Sequence, residues 1–76
     1  MFRPLMSRRV VRIMLNGRER QVGDGSLLSD LLAGLDLPAD GYAVEVNGRL
    51  VPRSEARSRP IHAGDRVEVV TLVGGG

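Results

Sequence analysis

Val10-Val11-Arg12-Ile13-Met14-Leu15-Asn16-Gly17-Arg18-Glu19-Arg20-Gln21-Val22 is the stretch on which the fold turns. Its first six residues alternate well enough for a strand with Val11, Ile13 and Leu15 on one face. Asn16-Gly17 then supplies the strongest short-range hairpin signal, because both central residues of the favoured two-residue turn need positive φ. Arg18 to Val22 is the expected return strand. The signal recurs downstream as Tyr42-Ala43-Val44-Glu45-Val46, a second Asn47-Gly48, and Arg49-Leu50-Val51 closed by Pro52. Between the two hairpins Gly23-Asp24-Gly25 breaks the chain. Ser26 is placed to cap a helix whose apolar positions Leu28, Leu31, Leu32 and Leu35 recur at helical spacing. Gly34 weakens the end of that helix and Pro38 stops it.

Arg53 to Pro60 reads as polar and irregular, with one helical turn at Ser54-Glu55-Ala56, and Ala63-Gly64-Asp65 reads as a turn. Arg66 to Val73 alternates as a final strand, with Val67, Val69 and Thr71 opposite Glu68, Val70 and Leu72. Two hairpins, one helix between them and a last strand predict an α+β unit, a mixed sheet of four to five strands packed on a single helix. The last strand is expected beside the first and parallel to it, in the middle of the sheet, which is the β-grasp arrangement of ubiquitin-like folds. The domain then spans residues 10–73, preceded by a flexible basic extension at 1–9 and followed by a flexible glycine tail at 74–76.

Composition narrows the function. A chain of 76 residues has room for one core and no more. A domain of this size buries only about 60% of its unfolded surface, so a deep catalytic pocket is not expected and a binding or carrier module is favoured over an enzyme. The absence of Cys excludes disulfide staples, thiolate metal sites and a cysteine nucleophile together. All eleven basic residues are Arg, and three of them, Arg3, Arg8 and Arg9, lie in the first nine residues with no acid. The remainder carries eight Arg against nine acids, so the basic excess belongs to the leader. With only Phe2 and Tyr42 as aromatics, the folded part lacks the basic stripe with interleaved aromatics that nucleic-acid binding needs. No apolar run resembles a secretory signal or a membrane span, so a cytoplasmic location without nucleic acid or membrane as partner is expected.

Three of the ten glycines are consecutive at Gly74, Gly75 and Gly76. Without Cβ atoms such a segment can enter a slot too narrow for side chains, and three extended residues reach roughly 10 Å. The distinctive chemical group of a tail of this kind is its terminal carboxylate. A free carboxylate is a poor electrophile, so a partner has to activate it, most simply as an acyl-adenylate with AMP as leaving group. Sulfur or an amine can then attack the carbonyl.

Val46-Asn47-Gly48-Arg49-Leu50-Val51-Pro52-Arg53, Ile61-His62-Ala63-Gly64-Asp65-Arg66-Val67-Glu68-Val69 and the ending Leu72-Val73-Gly74-Gly75-Gly76 together resemble the small sulfur carriers of the ThiS/MoaD family, in its thiamine-pathway branch. The likeness covers about residues 10–76. It departs from the family pattern in the basic leader and in Gly74, where other small residues are tolerated. The resemblance implies that an adenylyltransferase, using ATP and magnesium, activates the Gly76 carboxylate. Sulfur from a donor such as a cysteine desulfurase converts it to a thiocarboxylate, and thiazole synthase takes that sulfur. It also implies that the carrier is not an enzyme and binds no cofactor or metal, with Gly74, Gly75 and Gly76 threading partner channels. Within the same family a molybdopterin synthase small subunit or another thiocarboxylate donor is the alternative; a ubiquitin-like modifier that conjugates to lysines is the alternative from a different class.

Other residues carry weaker signals. His62, the single His, reads as a turn residue rather than a ligand. Arg49, Arg53, Arg57 and Arg59 form a loose basic group, a solvated surface or a docking patch for an acidic partner. Val70 and Leu72 fall on the strand face not fixed to the helix, so with Arg53 they are the candidate partner surface; a one-residue slip in register would bury them instead.

Overall fold

Both Asn-Gly pairs form the tight turns that their composition favours. In the computed structural model, which describes residues 9–72, Asn16 and Gly17 have φ of 50° and 81°, and Asn47 and Gly48 have 55° and 84°. Positive φ at both central residues gives the turn a twist that matches the flanking strands. The first turn joins β1 (Val10–Leu15) to β2 (Arg18–Gly23), and the second joins β3 (Tyr42–Val46) to β4 (Arg49–Leu50). One helix, α1 (Leu28–Ala33), lies between the hairpins, and a 3-10 helix (Arg53–Ser58) leads towards the last strand, β5 (Arg66–Thr71). The basic extension at residues 1–8 and the segment from Val73 through the glycine tail lie outside the described residues.

The sheet order is β2-β1-β5-β3-β4. β5 runs parallel to β1, with Leu15 opposite Val67, and antiparallel to β3 over Tyr42–Val46. This is the expected mixed sheet with the last strand at its centre. Alternation assigns its two faces. Ile13 and Leu15 from β1, Val44 and Val46 from β3 and Val67 from β5 are buried, and they pack with Leu28, Leu31 and Leu32 of α1 and with Val51, Ala56 and Ile61 of the connecting segments. Val67 and Leu28 are fully enclosed. Each such aliphatic side chain contributes about 1.5–3 kcal/mol through burial.

Several local expectations are corrected. The N-cap of α1 is Leu27, one residue beyond Ser26. The Leu27 N–H donates to Asp30 Oδ2 at 2.8 Å, so a carboxylate of the first turn supplies the cap bond that Ser26 was expected to make. Ser26 is held instead by backbone bonds, its N–H to the Gly23 carbonyl and its carbonyl to the Ile61 N–H. The helix ends at Ala33 with Gly34 as C-cap, leaving Leu35 half-buried in the following loop and Pro38 well past the stop. Arg53–Ser58 is a 3-10 helix rather than an irregular stretch with one turn, and it anchors through the buried Ala56. β4 stops at Leu50. The strand feature that survives at Val51 is its N–H, bonded to the Val44 carbonyl.

The hairpin asparagines do more than turn the chain. Asn16 Oδ1 accepts the Val69 N–H at 2.8 Å. Asn47 Oδ1 accepts the Arg66 N–H at 2.9 Å, while Asn47 Nδ2 donates to Asp65 Oδ1 at 2.9 Å. Asp65 is the buried charged residue of the described chain, and its second oxygen accepts the His62 N–H at 2.9 Å. Each turn thus grips β5 by a side chain, one near its start and one near its middle. Asn47→Ala removes two of these bonds and leaves a buried carboxylate short of a donor. It is expected to cost about 1–3 kcal/mol, read as a lower urea midpoint with an unchanged m-value.

Candidate functional site

The covered and open faces of the sheet differ in what they present. α1 and the 3-10 helix cover one face. On the other, alternation places Val10, Arg12 and Met14 of β1, Ala43 and Glu45 of β3, Leu50 of β4, and Arg66, Glu68 and Val70 of β5, with Leu72 continuing the row. The exposed large hydrophobics of the described residues, Val10, Met14, Leu50, Val70 and Leu72, all fall on this open face. Val70 is 51% exposed and Leu72 63%, which settles the register in favour of an outward-facing pair. Val10, Met14 and Leu50 extend the apolar surface beyond what was expected. The first two were legible from their alternation with Val11, Ile13 and Leu15, whereas Leu50 needed the pairing of β4 with β3.

β5 carries this surface towards the glycine end. The strand closes at Thr71, two residues before the expected Val73. The chain stays registered for one residue more, because the Leu72 N–H donates to the Gly41 carbonyl. Gly74, Gly75 and Gly76 lie outside the described residues. They follow within four residues of Leu72, so whatever takes up the tail approaches the open face where Val70 and Leu72 stand.

Arg53 belongs to a different part of the molecule. Its guanidinium stacks over the Tyr42 ring at 4.8 Å from the centroid, donates to the Ala39 carbonyl at 2.9 Å and stands 3.6 Å from Asp40 Oδ1. It therefore staples the loop after α1 to the start of β3. Stacking of this kind is worth about 0.5–1 kcal/mol at an exposed site. Tyr42, Leu35, Leu37 and Arg57 line a shallow groove with it, on the helix side rather than on the open face. The structure does not bring Arg53 together with Val70 and Leu72. The loose basic group is also divided: Arg59 is half-buried and its carbonyl accepts the Leu28 N–H, while Arg49 lies exposed on β4. His62 is an exposed turn residue. Among the described residues no three His, Cys, Asp or Glu side chains come together as a metal site, and no helix is long and apolar enough to cross a membrane.

A five-stranded mixed sheet in the order β2-β1-β5-β3-β4, one helix on one face and a central last strand leading to glycines define a β-grasp domain of the ubiquitin-like class. The comparison with known proteins narrows that class. The chain belongs to the ThiS family, whose sequence model matches residues 9–76. It is similar to the crystal structure of the thiamine biosynthesis protein ThiS from Geobacter metallireducens, with a TM-score of 0.75 and 28% identity over 87% of this chain and all of that one. It is 36% identical over 64 residues to the sulfur carrier protein ThiS of Thermus thermophilus, covering 84% of this chain and 98% of that protein. It is also 32% identical over 66 residues to a thiazole synthase of Paramagnetospirillum magneticum, covering 87% of this chain but only 20% of the relative's length.

The division of the sheet into two faces is directly testable. Val70→Ser is expected to change stability by no more than about 0.5 kcal/mol, as for an ordinary surface position. Removing the enclosed side chain one turn of the pleat pattern away, in Val67→Ala, should cost about 2–3 kcal/mol through lost burial and the cavity left behind. Thermal unfolding of the two variants beside the parent measures the difference.

Proposed function

We propose that this chain is a sulfur carrier for formation of the thiazole of thiamine and that Gly76 holds the cargo. The observation that carries the reading is the family match, which runs through the glycine end to Gly76. The names of the relatives, a sulfur carrier and a thiazole synthase, support the same pathway. The fold adds physical support, since β5 sits between both hairpins and is held by them, so the tail is carried on the best-anchored strand.

The chemistry needs two external steps. The Gly76 carboxylate attacks the α-phosphorus of ATP in an adenylyltransferase, with magnesium balancing the phosphate charge, and pyrophosphate leaves. The product is a mixed anhydride whose carbonyl is a strong electrophile. The terminal sulfur of a persulfide, supplied by a donor such as a cysteine desulfurase, attacks that carbonyl and AMP departs. A thiol then cleaves the S–S bond of the acyl disulfide, forming a new disulfide and leaving the thiocarboxylate. Thiazole synthase is the acceptor of this sulfur. In each step the acid, base and metal come from the partner; the carrier contributes its recognised fold and its terminal carbonyl, and so acts as a cosubstrate. The glycines suit this role because a Cβ at any of the last positions would have to be accommodated where the partner closes on the reacting carbonyl.

Incubation with ATP, magnesium, the adenylyltransferase and a persulfide donor should raise the intact mass by the difference between one sulfur and one oxygen, with the added mass on the C-terminal peptide. The variant lacking Gly76 should show no gain and should fail to support growth of a thiazole-requiring strain. A mass gain absent from the parent in the presence of an adenylyltransferase active on another carrier would overturn the reading. Gly76 found linked to target lysines instead would point to protein modification.

A further inference from the structure

The open face has a polar feature that works against the stability of the isolated domain. Glu45 of β3 and Glu68 of β5 stand directly opposite each other in the antiparallel register, with Cβ atoms about 4.5–5.5 Å apart, and like charges so placed repel. Neither makes an ion pair among the described residues. The two pairs formed there are Arg12 with Glu19 and Arg53 with Asp40. Arg66, two residues before Glu68 on the same face, bonds neither of them. Around the glutamates the surface is apolar: Leu50 is opposite Glu45 on β4, Ala43 and Val70 form the adjoining cross-strand pair, and Leu72 follows. Two uncompensated carboxylates thus sit inside an apolar surface that leads to the tail.

We propose that this face is the docking surface for the adenylyltransferase, and that Glu45 and Glu68 together receive one cationic side chain, an arginine or lysine, set in an apolar surface of that enzyme. The inference rests on the carrier reading above. Three glycines carry no side chain, so the tail offers nothing by which one glycine-ended domain can be told from another; discrimination has to be made on the folded part. Adenylation is the first step at which that choice is made. The paired carboxylates fit the requirement because a planar guanidinium bridges two acceptors and is readily taken out of water against apolar neighbours. The same pair opposes burial of the face against a second copy of this chain, which would bring four carboxylates together.

The test is ATP–pyrophosphate exchange at varied carrier concentration with the purified adenylyltransferase, comparing the parent chain, Glu45→Gln/Glu68→Gln and Glu19→Gln. The last lies on the same face but is already paired with Arg12. The double variant should raise the KM for carrier roughly tenfold or more, as for loss of a desolvated charge pair. Its kcat should be unchanged and its KM less sensitive to salt, and Glu19→Gln should behave as the parent. The thermal midpoint of the double variant should rise, because the repulsion is relieved; a general folding defect would lower it. An unchanged KM and salt dependence in the double variant, with the parent adenylated normally, overturns the docking assignment and leaves the carrier reading standing. A parent chain that is not adenylated removes both. A dimer of the parent in sedimentation equilibrium that Val70→Asp dissociates also overturns it, since the face would then be occupied by a second copy.

Discussion

β5 has to be accepted between two hairpins that are separate in sequence, and the hydrogen bonds that admit it come from the turns of those hairpins. Asn16 reaches the Val69 N–H and Asn47 reaches the Arg66 N–H and the Asp65 carboxylate. The backbone ladder between β1 and β5 is short, confined to Met14–Leu15 against Arg66–Val67, so the Asn16 side chain extends the pairing past the point where β1 turns away. The same residue type that sets the turn geometry therefore also fixes the register of the last strand. Once that register is fixed, Val67 is enclosed beneath α1, and Val70 and Leu72 face outward.

How much of this was legible depends on the range of the interaction. The hairpins, the helix and the alternation of β5 are local patterns, and Ile13, Leu15, Val44, Val46, Leu28, Leu31, Leu32 and Val67 are in the core as their spacing required. The cap at Leu27 was missed because Asp30, a residue of the first turn, competes with Ser26 for that role. The 3-10 helix was missed because its driving contact is Ala56 against distant core residues, with little periodic signal of its own. The second function of the asparagines was invisible for a stronger reason, since Asn16 and Val69 are far apart along the chain and meet only in the folded sheet.

The candidate site divides in the same way. The chemistry of the glycine end follows from residue type alone, and the outward direction of Val70 and Leu72 follows from period two in one strand. The opposition of Glu45 and Glu68, and the inclusion of Leu50, require the pairing of β5 with β3 and of β3 with β4. Arg53 is the instructive case. A basic residue after Pro52 looks like a docking group when its neighbours are unknown, yet its fork is matched by the Tyr42 face and the Ala39 carbonyl, and its role in this chain is to hold a loop.

The central position of the C-terminal strand has a consequence for synthesis of the protein. The two hairpins leave the ribosome first, but their apolar rows meet only through β5, so the sheet cannot be completed while residues 66–71 remain in the exit tunnel. Folding is in this respect post-translational, and its slow step is the insertion of a strand whose partners are distant in sequence. A chain truncated before β5 would have neither a closed core nor a glycine end. The reactive terminus and the completed domain thus arrive together, so that activating enzymes meet the tail only on a chain able to present it from a finished fold.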